Sequence, residues 1–383
     1  MFRRLNAILI GCCLLVSLSG SLRASSDASS DTSKALWWLY QLQYDKAHQV
    51  IDHYIQLHPN DPAGYFYKTG IDWWHLAQDF DHRFPDVEER MDQSYQQTVR
   101  TARAMLDDAK DDKTKALASF YWGGAEGLKG RWLVTQKRWI GAYRLGKRGH
   151  RLLQKSLEYD PTLYDAYLGL GIYDYYTDTL PGIQKVLASL LIRGDKKRGL
   201  RELQIAIDKG THARVEAMIF LVEIYTTEER MPEKALPITE DLVKEFPQSP
   251  AMQLARVMTR YTMKDWEPMM KDAADFLKKS KEETPYFVKP GVLPARYCLG
   301  IGEFFGRHNI DAAEKEMDEI LSIQGDQDTS RWVTYALLRK AQIYDLRGDR
   351  PKAMVFYRKV ISRSDLWGSQ DEAQKYLRTP FTF

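Results

Sequence analysis

Two aspartates and two histidines occur at helical spacing within one short stretch of the sequence. They are separated by steps of three, four and three residues, which would place them on one face of a helix: Asp72, His75, Asp79 and His82. Imidazole and carboxylate groups together are ligands that suit zinc or a similar ion. One interpretation is therefore a metal-dependent hydrolase that uses this face.

The second interpretation is an ordinary polar helix face. Trp73, Trp74 and Phe80 supply the apolar side of the same segment, and an apolar side predicts a polar one opposite. We favour this second interpretation. We therefore assign no catalytic, cofactor-binding or metal-binding residue and expect no cofactor.

A run of basic residues without any Asp or Glu extends from Lys129 to Lys155. Steps of seven, four, three and four residues form a cationic stripe of Lys137, Arg144, Arg148, Arg151 and Lys155. Such a stripe could bind anionic lipid headgroups, an acidic polymer or an acidic partner. The alternative is that it pairs within the chain with the acidic hairpin at 86–112, because neighbouring hairpins touch in a repeat array. We expect the internal pairing or plain solvation.

The first 125 positions contain more aromatic residues than one buried helical stripe can accommodate. Some should therefore face a groove, where large aromatic side chains hold peptides. Spacing alone does not say which member of an adjacent pair points outwards. Together with three residues of the cationic stripe, the predicted partner-binding residues are Arg144, Arg148, Arg151, Trp37, Trp38, Trp73 and Trp74.

The sequence motifs of common enzyme classes are missing. There is no Gly-x4-Gly-Lys-Ser/Thr loop, no Gly-x-Ser-x-Gly elbow and no His-Glu-x2-His pair. Gly171 and Gly300 belong to glycine-containing stretches that do not follow a strand, so we interpret them as close contacts between helices. The protein is predicted not to be an enzyme.

The elements that carry these residues can be predicted from a recurring spacing. A small residue precedes a proline by twelve positions at Ala47 and Pro59, Gly149 and Pro161, and Ala235 and Pro247. Helical periodicity dominates and strand alternation is absent, which predicts an all-α fold. We place helix hairpins at 33–59, 62–109, 113–160, 162–209, 213–246, 249–281, 293–322 and 330–362, with a closing helix at 369–378.

This pattern resembles the tetratricopeptide repeat (TPR) superfamily over nearly all of residues 33–362. Lys340, Asp174 and Glu303 depart from the residue types expected at their positions. The resemblance implies a right-handed superhelical solenoid of antiparallel helix hairpins. It also implies a non-enzymatic scaffold that holds a protein or peptide in its concave groove, similar at the level of fold class to exported bacterial scaffold lipoproteins of outer-membrane assembly.

One insertion interrupts the repeat spacing. Gly171 and Gly199 would be twelve residues apart in a standard repeat and are 28 apart here. The insertion at 177–195 contains an apolar stripe at helical spacing, which indicates an extra helix on the array or, alternatively, a docking surface.

The N-terminus has the features of an export signal. Two arginines at positions 3 and 4 precede an apolar run, and Ala24 offers a cleavage site, so residues 1–24 are predicted to be a signal peptide. Residues 25–32 would then form a flexible N-terminus and 33–383 a single helical repeat domain. The expected location is periplasmic or secreted; an outer-membrane lipoprotein anchored through Cys12 is the alternative, so envelope association is possible.

Removal of the signal peptide changes the charge and cysteine arguments. Without its three arginines the 55 basic residues become 52, equal to the 52 acidic ones. A neutral chain gives no support for a nucleic-acid partner, and we expect none. Only Cys298 would remain, which excludes an internal disulfide. No transmembrane span is expected in the mature chain.

Overall fold

A computed structural model describes residues 25–77, 84–179, 194–282, 289–364 and 368–383. Within these residues the chain forms seventeen α-helices and no strand. They divide into two compact units that we call the N-terminal unit, up to Ile224, and the C-terminal unit, from Tyr225. None of the described helices is long and apolar enough to cross a bilayer.

In the N-terminal unit the described residues form nine helices, each packed against the next. They are α1 Ser25–Tyr40, α2 Tyr44–Leu57, α3 Pro62–Ala77, α4 Pro85–Asp108, α5 Asp112–Thr135, α6 Trp139–Tyr159, α7 Ala166–Thr179, α8 Lys196–Lys209 and α9 Ala213–Glu223. The first four predicted hairpins are confirmed as pairs α1–α2, α3–α4, α5–α6 and α7–α8.

In the C-terminal unit eight helices lie within the described ranges. They are α10 Pro232–Glu245, α11 Pro250–Met263, α12 Trp266–Lys281, α13 Lys289–Ile301, α14 Ile310–Gln324, α15 Arg331–Leu346, α16 Arg350–Ile361 and α17 Ser369–Arg378. Two π-helical segments, Ile224–Glu228 and Gly302–Gly306, follow α9 and α13. The last three predicted hairpins and the closing helix are confirmed, whereas the hairpin at 213–246 is divided between the two units.

One detail differs from the sequence-based expectation. α1 already begins at Ser25, within the segment 25–32 for which we expected a flexible N-terminus. Thr32, at 3% exposure, is already part of the packed surface of this helix. The extra helix expected in the insertion at 177–195 falls mostly on residues 180–193, which lie outside the described ranges.

Small residues let paired helices cross closely in the N-terminal unit. A Cβ atom on Gly149 would lie 2.8 Å from the carbonyl oxygen of Gly123, and one on Gly199 would lie 2.7 Å from that of Gly171. These distances are too short for any larger residue, so the α5–α6 and α7–α8 crossings require glycine. The same contact shows that Gly171 and Gly199 are equivalent repeat positions in spite of the insertion.

Candidate binding surfaces

The last helix of the N-terminal unit covers residues of its first helices. His212, Glu216 and Phe220 are four residues apart and lie on one face of α9 and its N-cap. His212 Nε2 lies 3.0 Å from Ser33 Oγ of α1. Trp74 Nε1 of α3 donates a buried hydrogen bond of 2.9 Å to Glu216 Oε1. α9 therefore seals part of the surface formed by α1 and α3.

A second contact extends this seal to α5. The guanidinium carbon of Arg131 lies 4.1 Å from the ring centre of Trp73 and 4.6 Å from that of Phe220. The cation is thus held between an α3 ring and an α9 ring, an arrangement that is favourable where water is excluded. Burial also lowers the pKa of His212 to about 4, so its ring is neutral at pH 7.

These contacts locate two of the predicted partner-binding residues. The exposed fractions of Trp73 and Trp74 are 1% and 0%, so both rings serve the packing of α3 against α5 and α9. Neither ring faces solvent in this structure. A signal for this arrangement was present in the sequence, because α9 is apolar on nearly all sides and such a helix is normally buried.

The other predicted tryptophans lie at the surface of the first hairpin. Trp37 is 47% exposed, and its ring meets that of Trp38 edge-on at 4.6 Å. Lys46 Nζ of α2 lies 4.3 Å from the Trp38 ring centre. Beside them is an open cavity of about 440 Å³, lined by Asp31, Lys34, Trp38, Lys46, Gln49, Val50 and His53. We call Trp37, Trp38 and this cavity the α1–α2 site.

Three buried carboxylates recur at the first helices of successive hairpins. Asp72, Glu126 and Asp174 have exposed fractions of 0%. Each accepts hydrogen bonds from an arginine of the following helix, in the pairs Asp72 with Arg90, Glu126 with Arg148, and Asp174 with Arg198. A buried carboxylate needs such a partner because desolvation of an unpaired charge is costly.

The preceding helix supplies a further partner to each of these carboxylates. His48 Nε2 lies 3.0 Å from Asp72, Tyr95 Oη donates to Glu126 at 3.3 Å, and His150 Nε2 lies 3.6 Å from Asp174. Each acid thus ties three consecutive helices together. We call these three acids and their partners the buried acid row.

This row changes the interpretation of the Asp72 to His82 segment. Asp72 is used by Arg90 and His48, and the His75 ring stacks on Tyr44 with ring centres 4.4 Å apart. Burial, and then the charge of Arg90, lower the pKa of His75. Asp79 and His82 lie outside the described residues. Among the residues that are described, no group of three or more His, Cys, Asp or Glu side chains could hold a metal ion.

The cationic stripe separates into a buried role and an exposed one. Arg148 donates to Glu126 at 2.7 Å, and Trp122 Nε1 donates to the same carboxylate at 2.9 Å. Arg148 therefore belongs to the buried acid row. Arg144 and Arg151 are exposed on α6 and make no ion pair within the described ranges.

Among the described residues no ion pair joins Arg144 or Arg151 to the acidic hairpin, and both side chains are exposed, which fits the plain solvation that we expect as the other outcome. Lys129, which precedes the stripe, does pair with Asp92 of that hairpin. Asp111, however, caps α5 by accepting from the backbone N–H of Thr114 at 2.8 Å.

A second carboxylate near Asp174 makes the row sensitive to pH. Burial, followed by the charge of Asp174, raises the pKa of Glu202 to about 8. Burial is the largest single effect on Asp174 and acts to raise its pKa, but the hydrogen bonds and charges of Arg198 and His150 together outweigh it and hold the pKa at about 2. Glu202 is therefore mostly protonated at pH 7 while Asp174 is ionised.

We expect Glu202→Gln to stabilise the N-terminal unit at pH 8 but not at pH 5. The folded pKa of Glu202 lies above the ordinary value of 4.5. The folded state thus binds the extra proton, and stability is lost as pH rises between about 4.5 and 8. Glutamine cannot ionise, so the variant keeps this stability at pH 8. Its melting temperature there should be at least about 2 °C higher than that of the wild type, the shift that about 1 kcal/mol produces in a unit of this size.

The measurement is thermal unfolding at pH 5, 6.5 and 8. Glu158→Gln, which removes an exposed carboxylate of α6, is the control and should melt as the wild type does at each pH. An equal effect of Glu202→Gln at pH 5 and pH 8 would contradict the assignment.

The comparisons with known proteins bear on the fold alone. No protein-family model matches the chain, and no curated protein does. The chain is similar to the solved structure of a tetratricopeptide repeat protein from Parabacteroides merdae ATCC 43184. The two are 10% identical, the match covers 82% of this chain and 98% of that chain, and the TM-score is 0.35.

It is also similar to human IFIT1, solved as a dimer with m7Gppp-AAAA. These chains are 10% identical, the match covers 95% of this chain and 84% of that chain, and the TM-score is 0.46. The consecutive helix pairs and their close small-residue crossings make this protein an all-α, tetratricopeptide-like array of helix hairpins. A fold of this class is typical of binding scaffolds.

Proposed function

We propose that this protein is an exported, non-enzymatic scaffold that binds a peptide or an extended segment of a partner protein. The observation that carries the proposal is the contrast between its tryptophans. Trp73 and Trp74 are covered by the protein itself, whereas Trp37 remains 47% exposed beside an open cavity. Exposed aromatic side chains next to a cavity are characteristic of the residues that dominate binding energy at interfaces.

The family resemblance implies binding in a concave groove. We infer that the binding surface is the α1–α2 site. In the N-terminal unit α9 occupies the inner surface of α1, α3 and α5. The α1–α2 site is accessible and combines an aromatic pair with Lys34 and Lys46. We infer that its ligand carries an apolar anchor for Trp37 and an acidic group near it.

We expect Trp37→Ala to weaken the binding of peptides selected on the wild-type protein by about tenfold or more, as truncation of an aromatic hot spot does. Peptides from a displayed random library are selected on the immobilised protein, and their dissociation constants are then measured for both forms. Trp139→Ala is the matched control, because Trp139 is a second exposed tryptophan of the same unit, at 36%. Selected peptides that bind Trp37→Ala unchanged would place the site elsewhere, and a selection that yields no binder would count against the proposal.

Export is the part of the proposal that rests on the sequence alone. Mass spectrometry of the protein from its source should find a chain that begins near Ser25. A lipid on Cys12 would support the envelope-anchored alternative. A chain that retains Met1 and fractionates with the cytoplasm would contradict export.

A further inference from the structure

The outer face of α6 carries unpaired cations next to exposed apolar side chains. Arg144, Lys147 and Arg151 follow Ile140 at steps of four, three and four residues, so all four lie on one helical face. Ile140 is 71% exposed, the highest value among the exposed large hydrophobic residues, and Trp139 beside it is 36% exposed. We call these five residues the α6 patch.

Two carboxylates on the helices that flank α6 are already used. Glu126 of the neighbouring α5 is bound to Arg148, and Asp174 of α7 is bound to Arg198. No acid occurs in the sequence between Glu126 and Glu158. Glu158 lies seven residues beyond Arg151, which is about 10 Å along the helix axis, and no ion pair joins the two. The described part of the chain thus offers Arg144, Lys147 and Arg151 no ion-pair partner.

We propose that the α6 patch docks the protein on an anionic phospholipid surface. Its charge is complementary to lipid phosphates, and each basic side chain near an anionic bilayer adds to the attraction. Ile140 and Trp139 lie where α6 begins, so they can enter the headgroup region while the cations contact phosphates. Tryptophan is favoured at this depth because its ring is apolar and its N–H is polar. Helices that bind membrane surfaces show this combination of a basic face and apolar side chains.

The turn before α6 adds to the same surface. Lys137 and Arg138 are exposed and directly precede Trp139, so cations flank the apolar pair on both sides. An acidic protein could satisfy the charges of the patch, but it would not account for an isoleucine that is mostly exposed among five cations. Lipid therefore fits both halves of the patch.

The test is sedimentation of the full protein with vesicles of phosphatidylcholine, with and without 30% phosphatidylglycerol. We expect the triple variant Arg144→Glu/Lys147→Glu/Arg151→Glu to bind the anionic vesicles at least about tenfold more weakly than the wild type does. The matched control reverses three exposed cations of α10 and α16 that have no ion pair among the described residues: Lys244→Glu/Lys352→Glu/Arg358→Glu. It should bind as the wild type does. All forms share the same N-terminus, so anchoring through that segment cannot produce the difference.

Two further readouts separate lipid from a soluble polyanion. Binding should weaken as salt rises, because the attraction is partly between exposed charges. Brominated lipid should quench tryptophan emission, and Trp139→Phe should remove part of that quenching. Equal binding by the triple variant and the wild type would overturn the proposal. So would strong binding to soluble poly-glutamate without any quenching by brominated lipid, which would point to an acidic polymer or protein.

Discussion

Arg148→Glu should lower the free energy of unfolding of the N-terminal unit by about 3 kcal/mol, at the low end of the range for breaking a buried ion pair. The new carboxylate would lie beside Glu126, whose side chain is 0% exposed. Trp122 and Tyr95 would remain as donors, but they cannot offset the repulsion between two acids. We place the cost at the low end because the Arg148 side chain is 43% exposed.

Arg151→Glu is a matched control for this prediction. It makes the same change of charge about one turn further along α6, where the arginine is exposed and has no ion pair in the described ranges. Its effect should stay within about 0.5 kcal/mol, as for other surface substitutions. Glu126→Gln in the Arg148→Glu background should restore part of the lost stability, because it removes one of the two opposed charges.

The measurement is urea unfolding followed by tryptophan emission. Seven of the ten tryptophans precede residue 224, so the signal reports mainly on the N-terminal unit. An Arg148→Glu variant as stable as the Arg151→Glu variant would show that the pair contributes little. The two substitutions also distinguish the two roles of the cationic stripe, since only one of them should alter folding.

The hairpins were predictable because their signal is local. A small residue twelve positions before a proline places both the helix crossing and the end of the second helix, as at Ala47 and Pro59. Close packing at such crossings tolerates only small side chains, so the pattern reflects a steric requirement. The same reasoning located Gly171 and Gly199 as equivalent positions across a long insertion.

The surface roles of the tryptophans were not predictable in this way. Trp74 is covered by Glu216, which is 142 residues away in the sequence. Its burial depends on the contact between α9 and α3, which belong to different hairpins. No local spacing in the sequence encodes a contact of this kind. Trp37, by contrast, is 47% exposed and contacts the neighbouring ring of Trp38.

The buried acid row corresponds to a recurring spacing in the sequence, but the sequence alone does not indicate its structural role. His48 precedes Asp72 by 24 residues, and His150 precedes Asp174 by the same interval. From the sequence alone, Asp72 fits a metal ligand, and Asp174 is only a departure from the repeat pattern. Polar residues at buried repeat positions indicate a network only when their partners on both neighbouring helices are known.

Gly199→Ala should destabilise the N-terminal unit by about 3 kcal/mol, although alanine is the better helix former. The added Cβ would lie 2.6 Å from the backbone nitrogen of Tyr175 and 2.7 Å from the carbonyl oxygen of Gly171. Both neighbours are backbone atoms, so no side-chain rotation can relieve the collision. α7 and α8 must move apart, which also strains the ion pair between Asp174 and Arg198.

Gly146→Ala provides the same substitution in a helix of the same unit without the collision. There the nearest atom to the added Cβ is Tyr173 Cε2, at an ordinary contact distance of 3.6 Å. It should therefore stabilise the unit by about 0.5–1 kcal/mol, the usual gain from replacing a helical glycine. The two variants are predicted to shift the urea midpoint in opposite directions. If both shift it upwards, α7 and α8 do not cross as closely as Gly171 and Gly199 indicate.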